Sequence, residues 1–154
     1  MPVELRPVTG ENWRALAKLE VGESQRGFVA ANVFSIAESQ FGHDDEDGHW
    51  DFYPFGIYAQ DEPVGFMMYV LNLTYPRYQA FIARLMVDEK SQGRGHGRRA
   101  MELTLNLLRG DGRIRHVGIS YEPHNQVARK LYLSFGFVEP GEMVGEETLA
   151  IITL

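Results

Sequence analysis

Leu85-Met86-Val87-Asp88-Glu89-Lys90-Ser91-Gln92-Gly93-Arg94-Gly95-His96-Gly97-Arg98 carries an apolar, strand-like run into a glycine-rich turn and then into a helix-like run. Gly93, Gly95 and Gly97 strip side chains from alternate positions of one short turn. A polyanion can therefore approach the backbone and accept hydrogen bonds from several N–H groups at once. A helix starting here adds its unsatisfied first-turn N–H groups and the positive end of its dipole. The segment reads as a cradle for a pyrophosphate.

Outward from this turn, the chain alternates strand-like and helix-like stretches. On the N-terminal side, 3–8 alternates as a strand, 11–21 carries Trp13, Leu16, Ala17 and Leu19 at helical spacing, and Gly22 is a stop. A second helix is expected over 32–41, with Asn32 as N-cap. The acidic stretch 42–51 reads as a loop. Strands are expected over 55–59 and 64–73, joined by a hairpin at Gln60-Asp61-Glu62-Pro63, and over 81–87. On the C-terminal side, 98–109 places Met101, Leu105 and Leu108 on one helical face, with Gly110 as C′ residue. A strand over 114–121 precedes a helix over 125–135, N-capped by Asn125 and closed by Gly136. Strands over 137–138 and 149–154 finish the chain. The order β-α-α-β-β-β-α-β-α-β-β predicts an α/β (α+β) chain: a mixed sheet of about seven strands with four helices on its faces.

The 154 residues suit one domain over 1–154, and 44% hydrophobic with 12% aromatic residues is ample for a packed core. A net charge of -6 argues against a nucleic-acid partner and suits either cationic partners or simply solubility. The absence of cysteine removes disulfides, thiolate metal sites and cysteine nucleophiles, and no metal site is expected. The N-terminus has no secretory pattern and no apolar run is long enough to span a bilayer, so a soluble cytoplasmic protein without membrane contact is expected.

Several phosphate-site classes fail on their spacing. Arg98 stands where a dinucleotide fingerprint needs its third glycine, and the turn lies past mid-chain. A Walker A loop, an H-E-x-x-H motif and a G-x-S-x-G elbow are absent. The pattern Gln92-x-x-Gly95-x-Gly97 after Leu85-Met86-Val87 instead resembles the acetyl-CoA signature of the GCN5-related N-acetyltransferases (GNAT). A second element, Asn125-Gln126-Val127-Ala128-Arg129-Lys130-Leu131-Tyr132 with Ser134-Phe135-Gly136-Phe137, is similar to that family's C-terminal N-x-x-A-x-x-L-Y…G-F motif. The two occur in the family's order and at its usual separation.

The resemblance implies the GNAT acyl-CoA N-acyltransferase fold, with acetyl-CoA as co-substrate and direct attack of an amine in a ternary complex. The backbone at Leu85, Met86 and Val87 would pair with the pantetheine arm. Gln92, Gly93, Arg94, Gly95, His96, Gly97 and Arg98 would hold the pyrophosphate, and Asn125 would complete the cofactor site. Tyr132 matches the tyrosine that protonates the departing thiolate. Some relatives carry a glutamate base at the position aligning with Ser120; serine is no base at neutral pH. Glu122, two residues on along an alternating strand, could substitute directly or through water, and His124 is a further titratable group.

The acceptor amine is less constrained, because function lives in the site rather than the fold. The stretch 28–38, with 53–58 and 64–69, looks like the bacterial spermine/spermidine N-acetyltransferase branch. That resemblance implies a polyamine acceptor, and Glu23, Phe28, Glu38 and Tyr53 are its candidate contacts. Carboxylates beside aromatic faces suit a flexible cation. The alternatives are acetylation of a protein, a peptide or an aminoglycoside-type amine, or a non-catalytic acyl-CoA sensor. Exposed late strands allow edge pairing into a homodimer.

Overall fold

A computed structural model describes residues 2–23 and 31–154. The elements are β1 (Val3–Pro7), α1 (Trp13–Ala17), α2 (Asn32–Ser39), β2 (His43–Asp45), β3 (Gly48–Ala59), β4 (Glu62–Leu71), β5 (Ala80–Val87), α3 (His96–Arg109), β6 (His116–Tyr121), α4 (Gln126–Ser134), β7 (Met143–Val144) and β8 (Glu147–Thr153), with a 3-10 turn at Glu89–Ser91. The sheet runs β1-β3-β4-β5-β6-β8-β7, and β2 adds to β3. The expected mixed α+β architecture is observed, with four helices and eight strands among the described residues. Every pairing is antiparallel except β5 with β6. Parallel neighbours need a long crossover, and α3 supplies it.

The two helix pairs cover opposite faces. Leu16 of α1 and Ile36 of α2 are buried against Phe66, Met68 and Met86. On the other face, Met101, Leu105 and Leu108 of α3 and Tyr132 of α4 pack on Ile82, Val117, Ile119 and Ile152. Such burial, at roughly 1.5–3 kcal/mol per large apolar side chain, is what holds a five-residue helix such as α1 in place. The β3–β4 hairpin turns on Gln60 and Asp61, both at positive φ (51° and 66°). That is the two-residue geometry whose twist matches its strands.

Several expectations are corrected. Asn32 does not cap α2; Ala31 does, and Asn32 is buried with its amide donating to the Leu16 carbonyl at 2.9 Å. The helix expected over 11–21 is only Trp13–Ala17. The acidic stretch 42–51 is not a loop but a hairpin, pairing His43 with Trp50, Asp44 with His49 and Asp45 with Gly48. Its carboxylates are used locally: Asp44 contacts His49 Nδ1 at 2.6 Å, and Asp45 accepts from Trp50 Nε1 at 3.2 Å. β3 therefore starts at Gly48 and runs through Pro54. β1 pairs no further than Phe55, and Pro54 O, on that same edge, accepts from Val8 N–H, so the missing proline N–H falls where no β1 residue needs it. Gly110 ends α3 at φ −65°, not in the left-handed region. The final strands are β7 and β8; Val138 forms only an isolated bridge with Ile151.

Candidate active site

β5 and β6 touch only at Ala80–Val117, Phe81–Gly118 and Ile82–Ile119. Beyond Ile82 the strands part. β5 keeps its partner β4 as far as Val87, while Ser120 and Tyr121 of β6 pair with β8. The parting coincides with a bulge: Met68 faces Arg84 and Tyr69 faces Ile82, which leaves Ala83 without an opposite number. An extra residue bends its strand and raises the local twist.

The opening is a cleft of about 850 Å³, lined along one wall by Ile82 to Val87 and along the other by Ile119 to Glu122, Tyr132 and Glu147. Asp88 N–H donates to Val64 O on β4. Two-residue alternation then sends the Met86 and Arg84 backbone groups to β4 and those of Leu85 and Val87 into the cleft. Gln92 Nε2 donates to the Val87 carbonyl at 2.9 Å, which fixes the turn against the strand end. Leu85, Met86 and Val87 thus form one cleft wall.

Gly93 and Gly95 adopt φ of 78° and 81°, and a Cβ on either would meet nothing within 4 Å. These two positions need glycine for conformation, since L side chains are disfavoured there. Gly97 is helical, and its Cβ would lie at an ordinary 3.7 Å from Val87 Cγ2. Neither the backbone nor the protein's packing demands that glycine, and the space beside it belongs to the cleft. No side chain caps α3, and its first turn carries no carboxylate. The first backbone bond runs from Arg99 N–H to Gly95 O, so the N–H groups of His96, Gly97 and Arg98 are first-turn donors. A bare cradle with a positive helix end fits the pyrophosphate of acetyl-CoA.

The side chains of this turn divide. His96 is buried, and burial followed by the charge of Arg94 lowers its imidazole pKa. The Arg98 guanidinium turns away to Ser134 Oγ at 3.1 Å and lies over the Phe135 ring at 5.1 Å, tying α3 to α4. Arg98 therefore offers the cleft its backbone, not its charge, and neither Arg94 nor Arg98 lines the cleft. Asn125 lines it and also caps α4, its Oδ1 accepting from Ala128 N–H at 3.2 Å.

Tyr132 projects from α4 into the cleft, buried, with its phenol pushed up to about 12 by burial first and by the charge of Glu147 second. A phenol with that pKa stays protonated at neutral pH and can donate. α4 is braced from below, because Glu139 accepts from Arg129 Nε at 2.7 Å and from the Tyr121 hydroxyl. Glu122 lines the cleft. The sequence reading missed Glu147, which reaches the same place from β8 and accepts from Ser120 Oγ at 2.6 Å. Its spacing from Ser120 along the chain carries no signal; only the β6–β8 pairing brings them together.

A second cavity of about 220 Å³ meets the cleft at the bulge, sharing Ala83 and Arg84. Trp50, Phe52, Tyr78 and Phe81 supply aromatic faces, and Glu38 and Asp45 carboxylates. Arg84 holds Glu38 at 3.2 Å and donates to Ser35 Oγ at 2.9 Å, so part of that acidity is neutralised. Of the candidate acceptor contacts, Glu38 is therefore placed here. Tyr53 is not: strand alternation sends it to the face bearing α3, stacked on Tyr69 at 5.0 Å, and it lines neither cavity. Glu23 is exposed and lines neither cavity, and Phe28 lies outside the described residues. Among the described residues no cluster of three metal-ligating side chains occurs, and no helix is long and apolar enough to cross a membrane.

Known proteins are similar to this chain in sequence and fold. The model of the acetyltransferase (GNAT) family matches residues 9–137. The spermine/spermidine N(1)-acetyltransferase of Bacillus subtilis (strain 168) is 26% identical, with 93% of this chain and 92% of that protein covered. Among solved structures, the spermidine N-acetyltransferase of Vibrio cholerae in complex with CoA and spermine superposes with a TM-score of 0.73 at 17% identity, covering 98% of this chain and 95% of that one. An aminoglycoside acetyltransferase in complex with coenzyme A gives 0.75 at 16% identity, with 99% and 95% covered.

Proposed function

The chain belongs to the acetyltransferase (GNAT) family, and from that premise we propose that it moves the acetyl group of acetyl-CoA to a primary amine of a polyamine. The observation that carries this reading is the parting of β5 from β6, which sets unpaired strand backbone, a bare helix terminus and Tyr132 around one cleft. Leu85 and Val87 bind the pantetheine arm as a further strand would. The N–H groups from Gly93 to Arg98 hold the pyrophosphate, with Gln92 and Asn125 fixing the loops on either side. A backbone N–H of β5 steadies the thioester oxygen as negative charge develops there.

The acceptor enters from the second cavity. Its aromatic faces and Asp45 suit an aliphatic chain bearing ammonium groups, and the likeness to a spermine/spermidine acetyltransferase agrees in sign. An alkylammonium with a pKa near ~10 is almost wholly protonated at neutral pH, so a base is required. The carboxylates lining the cleft, Glu122 and Glu147, meet that need, and Tyr132 protonates the departing thiolate. The same reading carries a cytoplasmic protein whose exposed edge strand β7 pairs with a second copy, which light scattering tests.

The experiment offers acetyl-CoA with polyamines, aminoglycosides and peptides in parallel and identifies products by mass. Acetylated polyamine at the highest kcat/KM supports the reading. Transfer to peptides or aminoglycosides alone removes the polyamine, and CoA binding without transfer points to a sensor.

A further inference from the structure

We propose that Glu147, pinned by Ser120, is the carboxylate that takes the proton from the acceptor ammonium. This assignment rests on the acetyltransferase reading above and names the base within it. The β6–β8 ladder pairs Ser120 with Leu149 and Tyr121 with Thr148, so its next step sets position 122 opposite position 147. Two-residue alternation puts Ser120, Glu122 and Glu147 on one face. Ser120, Glu122, Tyr132 and Glu147 all line the cleft. The other charged or titratable groups lining it are Arg84 and His96, at the β5 and α3 ends, and Tyr121, whose hydroxyl is taken by Glu139.

The two glutamates differ in how they are held. The Ser120 hydroxyl donates to Glu147 Oε1, which fixes that carboxylate and leaves Oε2 without a hydrogen bond among the described residues. Glu122 makes no side-chain hydrogen bond among them. Fixing a base in place is what lets it act in a single productive geometry. The charge of Glu147 also reaches Tyr132, so base and acid share one end of the cleft.

The proton count closes. The ammonium gives one proton to Glu147, which later releases it to water. The neutral nitrogen attacks the thioester carbonyl, its C–N bond forms and the C–S bond breaks. Tyr132 gives its proton to the departing thiolate, and the second nitrogen proton restores the phenol. The products are one amide, one thiol and one proton.

The test is steady-state kinetics of the full chain with acetyl-CoA and spermidine across pH. In Glu147→Gln, kcat near neutral pH is expected to fall about 10²-fold, and the deficit to shrink as pH approaches the amine's own pKa of ~10. The KM for acetyl-CoA is expected to stay within about twofold, because only the chemical step has lost a group. Glu147→Asp should restore part of the rate. Wild-type kcat in Glu147→Gln, a loss equal at every pH, or a larger pH-dependent loss in Glu122→Gln would overturn the assignment. If Glu147→Gln does not fold, Ser120→Ala is read instead, with a kcat loss of about tenfold expected and unchanged kcat contradicting it. A wild-type protein that transfers nothing removes the acetyltransferase reading itself, so the two failures are told apart.

Discussion

Ile82 of β5 and Ile119 of β6 are the last Cα partners across the parallel strand pair, and the sheet opens immediately beyond them. The bulge at Ala83 sits one residue past that contact. Both cavities meet there, so the same irregularity that frees the backbone of Leu85 and Val87 also lies where the cleft joins the second cavity. An unbroken ladder would have buried those backbone groups in β6.

Tyr132→Phe keeps the ring packing and removes the proton donor. It is expected to lower kcat by at least about 10²-fold while the KM for acetyl-CoA changes little. Because burial and Glu147 push the phenol up to about 12, wild-type kcat should show no falling alkaline limb up to roughly pH 10, where an unperturbed tyrosine is half ionised. Near-wild-type turnover of the variant would take Tyr132 out of this role.

Gly97→Ala should act with opposite signs on stability and on binding. The alanine Cβ meets only Val87 Cγ2 at 3.7 Å, and alanine in a helix is favoured over glycine by up to about 1 kcal/mol. The same methyl occupies the approach of the pyrophosphate, and an affinity loss of about tenfold or more corresponds to ~1.4 kcal/mol. Melting curves and calorimetric titration with CoA check the pair. A stabilised variant with unchanged CoA affinity would show that the cradle lies elsewhere.

Asn32→Ala removes the buried bond from the α2 start to the Leu16 carbonyl. That carbonyl keeps a longer bond from Leu19 N–H at 3.3 Å, so the expected loss is about 1 kcal/mol rather than that of an orphaned group. Urea denaturation measures it, and an unchanged midpoint would contradict the role.

The Glu139 carboxyl is held below its ordinary pKa by Arg129 first and the Tyr121 hydroxyl second. A depressed folded pKa adds stability that is present above the unfolded value and is lost as pH falls through the folded one. Glu139→Gln should therefore melt earlier than wild type at neutral pH, with the gap closing below about pH 4. A gap independent of pH would point to packing instead.

Much of the cleft was legible because its parts are local. Gly93 to Gly97 and Asn125 to Tyr132 are contiguous segments whose spacing alone carries their geometry. The long amphipathic runs of α3 and α4 resisted misreading for the same reason, since apolar residues at helical spacing leave one packing solution. What failed was non-local. The acidic stretch 42–51 resembles a solvated loop until cross-strand partners such as Asp44 and His49 are paired. Tyr78 and Phe81 join Trp50 and Phe52 only through the folded sheet, and Tyr53 left the acceptor set because alternation turns it to the opposite face. Glu147 lies 27 residues from Ser120, and no periodicity links them.

Acetyl transfer in this cleft is read by incubating the protein with acetyl-CoA and spermidine and following free thiol and product mass together. One thiol is expected per acetylated spermidine, with both signals suppressed in parallel in Tyr132→Phe. Thiol release without an acetylated amine, or CoA binding with neither product, would contradict it.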